Sequence, residues 1–97
     1  MIRVKDFNDL KTEKAARRRS IHSAKFVVIC LDHYGEFVEV ETQTEANARA
    51  LVHQLVTDTG FDTAESYCVA PDGTLGGRPF YGEKNDELTY GEARHGR

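Results

Sequence analysis

Four side chains of the sequence are of the types that bind zinc: Cys30, His33, His53 and Cys68. A structural zinc site needs four such donors at characteristic spacings, and only Cys30 and His33 are separated by two residues. The spacing to His53 and Cys68 fits no zinc module. Both cysteines fall in apolar stretches, where a thiol usually packs as a small hydrophobic group. The sequence therefore predicts no metal site, and it contains no motif for any other cofactor.

A second set of reactive types is the run Asp-His-Tyr at residues 32–34, which follows Cys30 closely. A nucleophile, a base and an orienting group would have to meet in space, yet neighbours on a strand point to opposite faces. An exposed loop also excludes little water and shifts a pKa only slightly. The two carboxylates of Glu39 and Glu41 are predicted on the solvent side of an edge strand, where they discourage aggregation. We therefore expect no enzyme.

Three consecutive arginines form the densest charged cluster of the chain, and two lysines extend it. The candidate interaction residues are Lys14, Arg17, Arg18, Arg19 and Lys25. Guanidinium groups bind phosphates through paired hydrogen bonds and release counterions from nucleic acid. The competing interpretation is a solvated helix end, where cations lie near the negative end of the helix dipole. We favour the second interpretation, which predicts that replacing the three arginines by alanine leaves the fold intact.

Charge is distributed unevenly along the 97 residues, although the net charge is only −3. Residues 1–25 contain eight Lys or Arg and three Asp or Glu, whereas the remaining residues contain five and thirteen. Such asymmetry affects partners and association rates but does not determine the fold. The acidic majority of the chain argues against a general nucleic-acid-binding face.

The clearest predicted element is a helix over residues 44–59. Its apolar stripe consists of Ala48, Leu51, Val52, Leu55 and Val56. These positions recur at helical spacing, and the stripe centres on Leu51 and Leu55. Thr42 and Glu45 have the spacing of a capping box. Gly60 can adopt the left-handed conformation that ends a helix, and Phe61 can then contact the last turn.

The strands are predicted from the spacing of their apolar residues, which differs from the helical spacing. Residues 24–31 are apolar on both faces, as in a central strand, whereas residues 36–41 alternate, as in an edge strand. The four residues between them have the length and the glycine of a hairpin loop, so the two strands should pair antiparallel. A third strand is predicted at residues 66–70 and a short fourth at 78–81. A right-handed crossover through the helix gives the sheet order 2-1-3, with the fourth strand outermost.

These elements predict a small two-layer α+β domain with ββαβ topology. Residues 1–23 form a basic N-terminal arm with a short helix over residues 6–19, residues 24–81 form the core domain, and residues 82–97 form a polar, flexible tail. The sequence has no run of 18 apolar residues and no apolar region after Met1, and it has two cysteines. We therefore expect a protein of the reducing cytoplasm without membrane association.

One helix can cover only one face of a sheet whose central strand is apolar on both. The other face must be covered by the N-terminal segment or by a partner chain, because an open apolar face is a contiguous exposed patch. This favours a non-enzymatic protein-interaction module, such as an adaptor, inhibitor or assembly factor, that binds another protein or itself as a homodimer. The alternative is a nucleic-acid-associated protein that uses the basic arm. A small enzyme or a zinc-binding protein is the third hypothesis.

Overall fold

A computed structural model describes residues 2–58, 60–77, 80–83 and 89–90. The elements, in chain order, are β1 Ile2–Val4, a 3-10 helix Phe7–Lys11, α1 Glu13–Ile21, β2 Phe26–Leu31, β3 Phe37–Thr42, α2 Glu45–Thr57, β4 Thr63–Cys68, β5 Phe80–Glu83 and β6 Thr89–Tyr90. Across these ranges, no helix has the length and apolarity needed to span a bilayer.

The described strands form one sheet in the order β1-β3-β2-β4-β5-β6, in which every neighbouring pair is antiparallel. The α+β class predicted from the sequence is confirmed. The sheet is larger than the predicted ββαβ unit, because β1 and β6 extend it at both edges, and the first three predicted strands lie within it in the order β3-β2-β4. The strand predicted as an edge, β3, is therefore an inner strand.

The central strand β2 supplies both halves of the core. Val28 and Cys30 face α2, whereas Val27 and Ile29 face the N-terminal segment, and all four are buried. Because β-branched side chains pack well on a pleated surface, this short apolar stretch stabilises two layers at once. Both faces of β2 therefore pack against other elements.

The helix α2 packs on one face of the sheet through Ala48, Val52 and Val56, which are buried. Leu51 and Leu55, predicted at the centre of the stripe, are only partly buried at its edge. The predicted capping box is also wrong, since the hydroxyl that accepts from the Asn47 N–H at 3.0 Å belongs to Thr44. Gly60 has the predicted left-handed conformation, with φ of +76°, and Phe61 packs against the same core.

The N-terminal segment covers the opposite face. Its single predicted helix is two elements, because Thr12 is extended and its hydroxyl accepts from the Ala15 N–H at 3.1 Å to start α1. Leu10 is buried against Val27 and Ile29. Ala15 and Ala16 are buried as well. The face that argued for a partner chain is thus covered in large part by the chain itself.

The turn after β4 packs against α1. Ser20 donates from its hydroxyl to the carbonyl of Pro71 at 2.9 Å. Gly73 has φ of +89°, and a Cβ there would overlap the backbone carbonyl of Ala16. Only glycine therefore allows this close approach.

The structure describes only part of the predicted fourth strand and of the predicted tail. Residues 80–83 form β5 and residues 89–90 form β6, so two short pieces of the tail predicted at 82–97 are strand. Residues 78–79 of the predicted fourth strand, and the rest of the predicted tail, lie outside the described residues.

Candidate interaction surface

Arg19, the last of the three arginines, lies in the protein interior. It is 0% exposed and Glu39 is 1% exposed. Arg19 Nη2 donates to Glu39 Oε1 at 2.8 Å and its Nε donates to Oε2 at 3.1 Å, a two-point pairing that fits a planar guanidinium. The same guanidinium donates to the carbonyls of Gly73, at 3.0 Å, and Leu10. One side chain thereby joins α1 to β3, to the turn after β4 and to the 3-10 helix.

Both residues of this pair are placed incorrectly by the sequence analysis. Arg19 was assigned to a solvated helix end, and Glu39 to the open side of an edge strand. The prediction was wrong because β1 covers the edge of β3 and α1 covers its face. A buried Arg19 cannot contact a polyanion, and its replacement by alanine leaves a buried carboxylate.

Arg18 is also used within the fold, although it remains partly exposed. Its Nη2 donates to Glu39 Oε2 at 2.8 Å, and its Nε lies 3.9 Å from Glu41 Oε2. His22 Nδ1 is 3.6 Å from the other oxygen of Glu41. Two carboxylates of β3 therefore face two arginines and a histidine of α1 and its C-terminal turn.

Three of the five candidate interaction residues stay accessible: Lys14, Arg17 and Lys25 are exposed. Arg17 pairs with Glu13 one turn earlier at 2.8 Å. An exposed pair at this spacing contributes only a few tenths of a kcal/mol, about 0.3 to 0.5. The dense arginine cluster of the sequence is thus divided in the structure between the interior and the surface.

The β2–β3 hairpin tip, residues 32–36, is held in shape by its own hydrogen bonds. Asp32 Oδ1 accepts hydrogen bonds from the N–H groups of Tyr34 and Glu36, both at 2.9 Å. The Asp32 N–H donates to the Glu36 carbonyl at 3.0 Å, and the Gly35 N–H donates to the Asp32 carbonyl at 3.2 Å. Gly35 has φ of +85°, which a glycine adopts without strain. The loop therefore has one backbone shape.

This loop presents two aromatic rings to solvent. The Tyr34 residue is 82% exposed, and its ring centroid lies 4.3 Å from that of His33. A single exposed aromatic side chain is common on folded surfaces and adds little to the core. Tyr34 is therefore available for contact with another molecule.

An open cleft of about 390 Å³ lies beside the tip and is lined by residues of the loop together with Arg3, Gly60 and Phe61. Arg3 Nη1 donates to Asp32 Oδ2 at 2.7 Å and to Glu36 Oε1 at 3.1 Å. β1 is thus joined to the hairpin by the Arg3 side chain as well as by the pairing of β1 with β3. The cleft therefore combines the apolar ring of Phe61 with the Arg3 guanidinium, which pairs with the carboxylates of Asp32 and Glu36.

The charges of this site are stabilised by their neighbours. The backbone N–H of Glu36, the N–H of Tyr34 and the Arg3 guanidinium hold the pKa of Asp32 below its usual value. Hydrogen bonds to Glu36 and then Asp32 raise the pKa of Arg3. Asp32 consequently stays a carboxylate throughout the neutral range, and its charge is used to shape the loop.

The cysteines are far apart. Cys30 is buried and donates from its thiol to the Val38 carbonyl at 3.5 Å, and burial raises the pKa of that thiol to about 11. Cys68, predicted as buried, is exposed. On β4 the residue opposite Cys30 is Ala64, four positions before Cys68, which separates the two cysteines by about 13 Å along the strands.

The predicted reactive sets are not brought together. His33 lies at the hairpin tip and His53 is exposed on α2, whereas the Cys30 thiol is buried. Within the described ranges, no three His, Cys, Asp or Glu side chains are arranged to hold a metal ion.

Sequence reasoning located the hairpin loop but did not identify Tyr34 as its exposed residue or Arg3 as its partner. The Asp at the start of the loop and the Gly at its fourth position were the available signal for a fixed shape, since both favour a defined turn. Nothing local could connect Arg3 to a loop 29 residues away.

Comparisons with known proteins do not indicate a function, so any proposal rests on this geometry. No family model, no curated protein and no solved structure matches the chain.

Proposed function

We propose that the protein is a small, non-enzymatic protein-interaction module that contacts its partner with the β2–β3 hairpin tip. The observation that carries this proposal is the 82% exposure of Tyr34 on a loop whose backbone is hydrogen-bonded into one shape. Tyrosine is enriched at binding hot spots because its ring gives a large contact area at the cost of few rotatable bonds. A loop that is already ordered loses little conformational entropy when it binds.

The cleft beside the tip supports the same proposal. Phe61 contributes an apolar wall, and the ion pairs of Arg3 with Asp32 and Glu36 contribute a polar rim. Interfaces commonly combine an apolar centre with a charged margin. A side chain of the partner that enters the cleft would be flanked by Tyr34 on the loop and by Phe61 behind it.

Binding is favoured over catalysis by the way the reactive groups are used. The Cys30 thiol is turned into the core, and Asp32 uses its carboxylate to accept from two backbone N–H groups and Arg3. A general base or nucleophile needs a side chain that can reach a substrate. The adaptor, inhibitor and assembly roles all remain forms of this one proposal.

Site-specific photo-crosslinking tests the proposal in extracts of the source cells. Benzoylphenylalanine is placed at position 34, and at position 21 as a matched control, because Ile21 is 71% exposed and lies at the end of α1. We expect a specific adduct from position 34 only. We also expect Tyr34→Ala to abolish affinity capture of the adduct protein and Ile21→Ala to retain it.

The outcomes separate the hypotheses. Equal adducts from both positions, no adduct, or capture unaffected by Tyr34→Ala would each overturn the proposal. An adduct that is this chain itself identifies the partner as a second copy, and light scattering at several concentrations then checks for a dimer. Capture that disappears after nuclease treatment, and that Tyr34→Ala leaves unchanged, would instead favour the nucleic-acid alternative.

A further inference from the structure

A second concavity lies on the face of the sheet opposite α2, where the 3-10 helix covers only part of the strands. This groove, the aromatic groove, has a volume of about 320 Å³. Its floor is formed by Ile29 and Leu31 of β2, and Thr63 lies beside them on β4. A volume at the lower end of the range for ligand sites suits one side chain better than a large cofactor.

Three aromatic rings line this groove. The Phe7 ring centroid lies 5.6 Å from that of Phe37 and 6.2 Å from that of Tyr67, with interplanar angles of 58° and 37°. All three residues are only partly buried. The face of an aromatic ring carries a negative electrostatic potential that attracts cations within about 6 Å. Three adjacent rings in a concave wall therefore form an environment suited to a cation.

The protein already places a cation on one of these rings. Lys11 Nζ lies 4.9 Å from the centroid of the Phe7 ring. Lys11 does not line the aromatic groove; it lines a different cavity, with Ala16 and Leu75. The ring of Phe7 thus acts as a cation acceptor within the fold while it also lines the groove.

The described lining of the groove carries negative charge. Glu65 is the sole charged residue among the described residues of the groove, and its Oε2 accepts a hydrogen bond from the Tyr67 hydroxyl at 2.5 Å. The carboxylate is therefore held next to one of the three rings. A positively charged group above the rings would gain from both the ring potential and this carboxylate.

We propose that the aromatic groove receives a cationic side chain, lysine or arginine, of the partner protein. This inference rests on the proposed function, because it takes the cation from a protein partner. Leu31 and Phe37 line the groove and directly flank the hairpin tip on the chain, so the groove and Tyr34 lie at one end of the sheet. A partner bound at the tip can reach the groove without crossing the rest of the surface.

The test uses the whole chain and three short peptides. Acetyl-Gly-Lys-Gly-amide, its arginine counterpart and its norleucine counterpart are titrated while the aromatic and amide resonances are followed by NMR. Norleucine keeps the aliphatic chain without the ammonium. We expect the two cationic peptides to shift the resonances of Phe7, Phe37 and Tyr67, and to bind about fivefold more tightly than the norleucine peptide, the factor of one cation–π contact.

Variants identify the groups responsible. Glu65→Gln and Phe7→Leu should each weaken the binding of the lysine peptide about threefold or more, as expected for contacts of modest strength, while the control Ile21→Ala should leave its affinity unchanged. The amide spectrum of each variant checks that it folds, and the conservative Glu65→Gln retains the hydrogen-bond acceptor for Tyr67.

Two results would overturn the inference: equal affinity for the norleucine and lysine peptides, which would make the groove merely apolar, or no shift at the three rings with any peptide. Neither result bears on the crosslinking of position 34. If the peptides fail while Tyr34 remains essential for capture, the groove proposal falls and the proposed function stands. If the peptides bind while Tyr34 is dispensable, the proposed function falls.

Discussion

The pair formed by Arg19 and Glu39 is expensive to bury, since each charge loses its hydration. The structure offsets this cost with hydrogen bonds: Glu39 accepts from two arginines, and Arg19 also donates to two backbone carbonyls. A fully paired guanidinium in the interior can be tolerated, whereas removal of one partner leaves the other charged and unpaired. The buried Arg19 and the exposed Arg17 should therefore differ greatly in their effect on the free energy of unfolding.

Arg19→Ala should lower the free energy of unfolding by about 3 to 5 kcal/mol, the usual cost of breaking a buried ion pair. Arg17→Ala, at an exposed position two residues earlier, should change it by less than about 0.5 kcal/mol. Urea denaturation followed by circular dichroism measures both. Similar losses for the two variants would contradict the burial of Arg19. The double variant Arg19→Met, Glu39→Leu should recover part of the loss, because it removes the buried carboxylate together with the buried guanidinium, and Arg18, which loses Glu39, is partly exposed.

Asp32 makes the stability of the hairpin dependent on pH. Its pKa in the folded protein lies below the ordinary value of 3.8, so its contribution is fully present above about pH 4 and is lost as the pH falls through the folded pKa. Asp32→Asn keeps an oxygen for the two backbone N–H groups but removes the charge that pairs with Arg3. We expect the variant to be less stable than the parent at pH 7 and to approach it below pH 3.8. Denaturation curves across this range check the convergence, and a difference that is independent of pH would contradict it.

At the scale of elements, two threonines near the start of α2 make a matched comparison. The Thr44 hydroxyl caps the helix, whereas the Thr42 hydroxyl is buried without a hydrogen-bond partner among the described residues. Thr44→Ala should cost about 1 kcal/mol, as for other cap threonines. Thr42→Val should be neutral or stabilising by up to about 1 kcal/mol, because it removes an unpaired hydroxyl and suits a strand. Thermal melts of both variants show which threonine caps the helix. The capping box predicted from the sequence would instead make the Thr42 variant the less stable of the two.

Elements with a clear period could be predicted from the sequence, and the others could not. The helix α2 and the strands β2 and β3 repeat their apolar residues over six or more positions, which is enough to indicate type and approximate bounds. β1 has three residues and β6 has two, too few for any period to be read. Glu39 was assigned to solvent because alternation shows which residues of β3 share a face, but not that α1 and its Arg19 cover that face.

The candidate site was predictable to a smaller extent. The loop between β2 and β3 follows from its length and its glycine, but the exposure of Tyr34 depends on which way the loop leans. The aromatic groove depends on contacts of Phe7 with Phe37 and Tyr67, which come from three separate elements. Pairings of this kind are set by tertiary packing, and no local pattern records them.

At the scale of the whole molecule, Gly73 controls how closely the turn after β4 approaches α1. Gly73→Ala combines backbone strain with overlap on the Ala16 carbonyl, and we expect a loss of about 4 kcal/mol or more, or failure to fold. Gly35→Ala is the matched control, since Gly35 has a similar φ of +85° but no atom within 4 Å of a Cβ. It should cost about 1 to 2 kcal/mol. Chemical denaturation compares them, and equal costs would show that the turn can move away from α1.

The position of Arg19 has a consequence for the order in which the chain is made. Synthesis proceeds toward the C-terminus, so α1 leaves the ribosome before two of the acceptors of Arg19: Glu39 follows Arg19 by 20 residues and Gly73 by 54. Until those residues emerge, the three arginines share one short, solvated and strongly basic segment close to the ribosomal surface. This segment is therefore strongly basic until Glu39 and Gly73 have emerged, and folding then encloses part of its charge.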